Sequence, residues 1–248
     1  MGLLTKTTFV PVVLTAAVAA WLAKPACRGF GRAWALVFGL ALIVAAPWWL
    51  HNMSVYGGLD IYGLANHDAI VVGQPRTTEW IRDKGLGDWL ERGVTFTFQS
   101  FWGQFGWMGV LMPTWLYRAL ALGVGILVAG FLLWLWEVRR GGSGASRSAW
   151  LPDLEPSGRP LVVLATTVVF VLLAYLYYNR TFVQHQGRYL FPALIPIALG
   201  VALSLAGLLQ LLRFPDRLRP LAFAAPYLGL AALDLYALWR FIVPALTA

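Results

Sequence analysis

The stretch of this chain richest in chemistry is a polar cluster that runs straight into an apolar one. Residues 184–189 read QHQGRY and are followed by LFPALIPIAL. Arg188 is permanently charged, and its guanidinium fork matches two oxygens of a phosphate. At the rim of a membrane span it suits a phosphate or pyrophosphate. Gly187 beside it permits close backbone approach. Gln186 and Tyr189 add neutral hydrogen-bonding groups. Lys6, in GLLTKTT, is a second candidate anion ligand, acting as a point charge, with a snorkelling lysine as the plainer alternative. In WWLHNMSVY (48–56), Trp48 and Trp49 read as interfacial anchors, and His51 and Asn52 can hydrogen-bond a polar headgroup. Asp60, His67 and Asp68 place carboxylates near an imidazole, the makings of a general base or a divalent-cation site. Their spacing matches no metal motif, so a polar turn is the simpler reading. Asp234 sits inside the last apolar run, where an acid is costly unless it is functional or paired, with Arg240 as the near partner. Asn52 and Asn179 begin Asn-x-Ser/Thr patterns, but both lie too close to apolar runs to be good glycan acceptors.

These residues are hung on long apolar segments. A helix needs about 20 apolar residues to cross a hydrocarbon core, and roughly six runs here approach that length. They are 7–23, 33–50, 117–136, 161–178, 190–212 and 221–243. The expected fold class is all-α, a polytopic transmembrane helix bundle forming a single membrane domain over 1–248. Pro192 falls in the first turn of its span, where its missing N–H is tolerated, and Pro196 is expected to kink it.

Composition agrees. Hydrophobic residues are 59% of the chain and charged residues 12%, and the mean hydropathy is +0.68. A net charge of +8 invites a nucleic-acid reading. However, the basic residues gather at span ends, where orientation and anionic headgroups account for them, so no nucleic-acid partner is expected. The single Cys27 excludes an intrachain disulfide and a cysteine metal site. No cofactor and no metal are expected. Residues 7–23 lack the basic start and cleavage pattern of a signal peptide.

Basic residues also orient the chain. Lys24, Arg28 and Arg32, then Arg139, Arg140, Arg147 and Arg159, then Arg213, Arg217 and Arg219 occupy alternate connectors with few acids. The second connector mixes Arg76, Arg82, Lys84 and Arg92 with Asp60, Asp68, Glu79, Asp83, Asp88 and Glu91. The positive-inside rule puts the first group in the cytoplasm and the long connector, 51–116, outside. The Gly-, Ser- and Pro-rich stretch 137–160 reads as a cytoplasmic linker. Within the outer loop, Leu86, Trp89 and Leu90 have helical spacing, as do Phe98, Phe101, Trp102 and Phe105. The second set predicts a helix lying in the interface, as an aromatic belt or as a platform for lipid or sugar.

Three stretches, in order, resemble segments of bacterial GT-C type membrane glycosyltransferases, the superfamily of protein O-mannosyltransferases and lipid A aminoarabinose transferases. GLLTKTT (2–8) resembles an LTK motif at the outer end of a helix. APWWLHNMSVYGGLDIYG (46–63) resembles PWYLRNYLLYGDPFG. QGRYLFPALIPIAL (186–199) resembles GRYLLPALPALAL. The likeness is to the family's C-terminal half and takes in most of the chain. It implies a sugar donor on a polyprenyl phosphate, transfer on the outer face of the bacterial plasma (inner) membrane, and a lipid phosphate held by Lys6 and Arg188. Fixed cations there would stabilise the departing phosphate oxygen, and an acidic base would activate the acceptor hydroxyl. The family carries that acid in an early outer loop. No such loop precedes Lys6, Asp60 and Asp68 do not match it by position, and His51 stands where the family has arginine. The expectation is therefore part of a membrane glycosyltransferase contributing lipid-phosphate binding, with its catalytic base unknown. Its partners would be the polyprenyl-phosphate-linked sugar, membrane lipids, and an N-terminal half or partner subunit. The alternatives are a non-catalytic scaffold or assembly subunit and, third, a lipid-linked sugar transporter.

Overall fold

The computed structural model describes residues 10–23, 30–106, 108–140 and 158–247. Lys6, Lys24, Cys27, Arg28, Trp107, Arg147 and most of the linker lie outside the described residues. The described residues are mainly helical, with one short hairpin and one isolated antiparallel bridge. The first helices are α1 (Val10–Ala23), α2 (Phe30–Tyr56), α3 (Leu64–Ile70) and α4 (Thr77–Trp102). Strands β1 (Gln104–Phe105) and β2 (Val110–Leu111) follow, then α5 (Thr114–Arg139) and α6 (Arg159–Tyr178). A 3-10 segment, Gly187–Ala193, leads into α7 (Leu194–Leu211), and a second, Asp216–Leu218, leads into α8 (Arg219–Ala237). A π-helical turn, Leu238–Ile242, joins α8 to α9 (Val243–Thr247).

Among the described residues, five helical stretches are long and apolar enough to cross a membrane: Gly31–Tyr56, Thr114–Arg139, Arg159–Tyr178, Gly187–Leu211 and Asp216–Thr247. The sixth expected span is represented by the shorter apolar helix α1. Large apolar side chains face outward. Leu36, Leu40 and Ile43 on α2 are 68%, 63% and 69% exposed. Such a surface is stable in hydrocarbon, where a helix already satisfies its own backbone bonds. The chain is a multi-pass membrane protein built as an all-α bundle.

It divides into two compact units, Met1–Val94 with Ser157–His185 and Tyr189–Ala193, and Thr95–Pro156 with Gln186–Arg188 and Leu194–Ala248. In the first unit α1 packs on α6. Helix α4 breaks at Gly85, whose φ of 91° only glycine adopts without strain. The expected helix around Trp89 is thus the start of the part of α4 that follows the break. In the second unit α5 packs on α7. Gly130 lies against Ser204 and Leu208, and Gly207 against the Gly130 carbonyl and Trp134. Small residues at facing positions let helix backbones approach, the usual basis of packing in lipid.

The aromatic stretch behaves differently from the expected interfacial row. Phe98 and Trp102 are on α4, but Phe105 falls in β1, beyond the helix end. All three pack on a core of Met112, Tyr117 and Ala237. Tyr117 Oη donates to the Gly103 carbonyl at 2.7 Å and accepts from Met112 N–H at 3.1 Å. That pair of bonds ties the end of α4 and the hairpin to the start of α5. These rings lie half-buried against the second unit's core.

Candidate functional site

The candidate residues gather at the ends of spans, and the first unit has a framework that positions several of them. Helix α6 ends at Tyr178, and Asn179 is fully buried. Its Nδ2 donates to the Tyr175 carbonyl at 2.9 Å, and its Oδ1 accepts from Gln184 N–H at 2.9 Å. Its own carbonyl accepts from Thr77 Oγ1 at 2.7 Å. The strand-like segments around Arg76 and Phe182 then pair antiparallel. Thr77 N–H donates to the Thr181 carbonyl, and Val183 N–H to the Pro75 carbonyl. Gln184 Nε2 adds a bond to Gln74 Oε1 at 2.8 Å. The Arg76 guanidinium caps this framework, 5.2 Å over the Phe182 ring, and donates to the Asp68 carbonyl at 2.6 Å. This buried framework fixes the chain just before QGRY. Neither Asn179 nor Asn52 presents a free amide to a glycan, since both side chains are buried.

An apolar cavity of about 420 Å³ opens in the same unit. Val10 and Pro11 of α1, Tyr62 from the loop before α3, Tyr178 of α6, and Tyr189 and Pro192 of the 3-10 segment all line it. Tyr178 and Tyr189 meet with ring centroids 5.0 Å apart. Burial pushes the Tyr62 phenol up from its ordinary pKa, so it stays a neutral donor. A volume of this size with few polar groups fits an extended apolar ligand.

The remaining candidates separate. Arg188 is exposed at the start of the 3-10 segment, and Gln186 is half-buried. The Gly187 N–H between them donates to Ser100 Oγ of α4 at 2.7 Å. A Cβ at Gly187 would run into the backbone of Thr97 and Phe101, so only glycine fits. His51 is exposed on α2 and meets Trp48 at 5.6 Å between centroids. Asn52 is turned inward instead, and its Nδ2 donates to the Ile61 carbonyl at 2.8 Å, closing the loop. Trp49 packs edge-on to Tyr62 at 6.1 Å.

Asp60, His67 and Asp68 do not converge. Asp60 Oδ2 accepts from Asn66 N–H at 3.0 Å at the start of α3. Desolvation pushes its pKa up, but the N–H groups of Asn66, Ala65, Leu64 and Gly63 together outweigh it and hold the carboxyl below the usual range. Such an acid caps a helix and is a weak base. His67 Nδ1 and Asp68 Oδ1 pair at 3.1 Å in the open. Among the described residues no three His, Cys, Asp or Glu side chains are grouped to hold a metal. Asp234 is exposed on α8 and forms no ion pair with Arg240 among the described residues. Arg240 lies beyond the end of α8, in the π-helical turn Leu238–Ile242, where the helix repeat changes.

The sequence reading missed Tyr62 and Tyr178, which line the cavity, and Gln74 and Arg76, which brace the framework just before QGRY. Tyrosines at span ends read as belt residues, and nothing in their spacing marks them as one wall. His185, one member of the polar cluster in the sequence, is buried with 4% exposure. Compared with known proteins, the chain matches no family model, no curated protein and no solved structure.

Proposed function

We propose that this chain binds a polyprenyl-phosphate-linked sugar in the bacterial plasma membrane, as part of a glycosyltransferase acting on the outer face. One observation carries the reading. Three stretches far apart in sequence, each part of or next to a segment resembling the GT-C type enzymes, supply walls of a single apolar cavity. Val10 and Pro11 follow GLLTKTT, Tyr62 belongs to GLDIYG, and Tyr189 and Pro192 belong to GRYLFP. The cavity takes the hydrocarbon chain. Arg188, next in sequence to Tyr189, holds the phosphate, with Lys6 as the second cation. During transfer the acceptor oxygen bonds to the sugar's anomeric carbon as that carbon's bond to the phosphate oxygen breaks, and the cations stabilise the charge left on the departing oxygen. The proton of the acceptor hydroxyl goes to a base outside the residues assigned here.

The test uses the purified full chain in lipid nanodiscs. A polyprenyl phosphate carrying a photoreactive group in its chain is compared with the matching alcohol. The phosphate should label peptides containing Tyr62 and Tyr189, and Arg188→Ala should weaken its binding about tenfold or more, because a charge-assisted phosphate contact is lost. Equal labelling by the alcohol, or binding untouched by Arg188→Ala, would overturn the phosphate assignment. Labelling elsewhere in the chain would overturn the cavity.

A further inference from the structure

Two contacting side chains in the first unit carry polar atoms that no described residue meets. His185 is 4% exposed. Neither its Nδ1 nor its Nε2 reaches solvent, and neither has a hydrogen-bond partner among the described residues. Its ring stands edge-on to Trp89 of α4, with centroids 5.0 Å apart and planes at 71°. The Trp89 indole N–H is also shielded from solvent and without a partner among the described residues. Gly93, one turn further along α4, faces the same imidazole. A Cβ built there would meet nothing nearer than Nε2 at 3.5 Å. Glycine thus leaves room for about one methyl group against the ring.

Buried polar atoms in folded proteins are almost always paired, and an exception calls for a ligand, a water or a strain that explains it. The donor and acceptor count selects the ligand. A neutral imidazole offers one N–H and one lone pair, and an indole offers only an N–H. A hydroxyl between the two rings accepts from the indole N–H and donates its proton to the imidazole lone pair, while the imidazole's own N–H, on the far side of the ring, lies outside its reach. An inorganic anion has only acceptors when fully ionised and leaves the lone pair unmet. A metal ion would use the lone pair but would face the indole N–H dipole. Burial and the nearby charge of Arg92 hold the His185 pKa down to about 4, so the ring keeps its lone pair at neutral pH. Trp89 and Gly93 bring no titratable group to the ring.

We propose that His185, Trp89 and Gly93 build a buried site for one hydroxyl group, borne either by a water molecule or by a polyol ligand. The site is independent of the lipid cavity and of the glycosyltransferase reading. Its test is indole 15N–1H NMR on the detergent-solubilised full chain, with Trp89→Phe to assign the signal. Magnetisation transfer from water to the Trp89 N–H in plain buffer identifies the hydroxyl as a bound water. A downfield shift of that N–H only on adding glycerol identifies a polyol site. No transfer and no shift under either condition overturns the proposal. Two variants check the geometry. Gly93→Ala fills the room beside Nε2 and raises helix propensity, so it should abolish the transfer or shift while the spectrum stays dispersed. His185→Phe keeps the ring shape but removes the hydroxyl's acceptor, and Tm should fall by about 2–8 °C. A Tm that stays level or rises would mean that the nitrogens have no ligand, because replacing unpaired buried polar atoms by apolar ones relieves their desolvation.

Discussion

Gly187→Ala is the sharpest perturbation at the start of the fourth long apolar stretch. The substitution puts a methyl group less than 3.0 Å from the Thr97 carbonyl oxygen and from backbone atoms of Phe101. Backbone on both sides cannot swing away as the end of a side chain could. Overpacking of that kind costs about 1–3 kcal/mol. Relief requires the 3-10 segment to move off α4, which stretches the 2.7 Å bond from Gly187 N–H to Ser100 Oγ and adds about 1 kcal/mol. The total is roughly 2–4 kcal/mol, which for a chain of this size is a drop of about 5–15 °C in Tm. The assay is thermal unfolding of the detergent-solubilised chain, followed by tryptophan fluorescence. Gly200→Ala on α7 is the control, because a Cβ there meets nothing within 4 Å, and it should leave Tm level or slightly raised. Ser100→Ala should give a smaller loss, since it removes the acceptor without the clash. If Gly187→Ala melts with the control, the close approach does not hold the segment and the reasoning fails.

Two further outcomes follow from buried groups. Asn179→Ala removes an amide that is fully buried and bonded at both ends. It should cost about 2–4 kcal/mol and abolish hydrogen-exchange protection of the Gln184 N–H, and unchanged protection there would refute the framework. The His185 pKa lies at about 4 in the folded chain against an ordinary 6.5. The unfolded state therefore binds the proton more tightly, and stability is full above pH 6.5 and declines as pH falls toward 4. The decline is about 3 kcal/mol at most, and roughly 1–2 kcal/mol once screening by nearby water is counted. Melting curves between pH 7 and 4.5 should show a steeper loss for the native chain than for His185→Phe, and parallel curves would refute the assignment.

The apolar runs were legible because their signal is local. About 20 residues of continuous hydrophobicity have one stable destination, and a helix is the only open-ended structure that satisfies its own backbone there. Their ends were less legible. Helix α2 continues past the expected end at 50 to Tyr56, since a helix can outrun the bilayer without losing its internal bonds. Phe105 shows the limit of periodicity. Its spacing from Phe98 and Trp102 is helical, yet the chain leaves the helix at Gly103 and turns into the hairpin. Around the candidate site, Gly187 was readable as a close-approach position from its type alone. Asn52 was not readable as buried, because its amide is claimed by the Ile61 carbonyl, a partner fixed only once the loop has folded back.

The sequence by itself determined that this is a helical, multi-pass membrane protein, through composition and run length, which need no long-range information. It also supplied the cations and polar groups at the span ends. Only the tertiary structure decided which of them share a place. Val10, Tyr62, Tyr178 and Tyr189 form one cavity wall, while Asp60, His67 and Asp68, close in sequence, are spent on a helix start and an exposed pair. The bland-looking His185 is sealed against Trp89 with neither ring nitrogen partnered among the described residues. The physical reason is that cavities and buried polar atoms arise where distant segments meet. Burial and hydrogen-bond satisfaction are properties of that meeting, and no single stretch of residues encodes them.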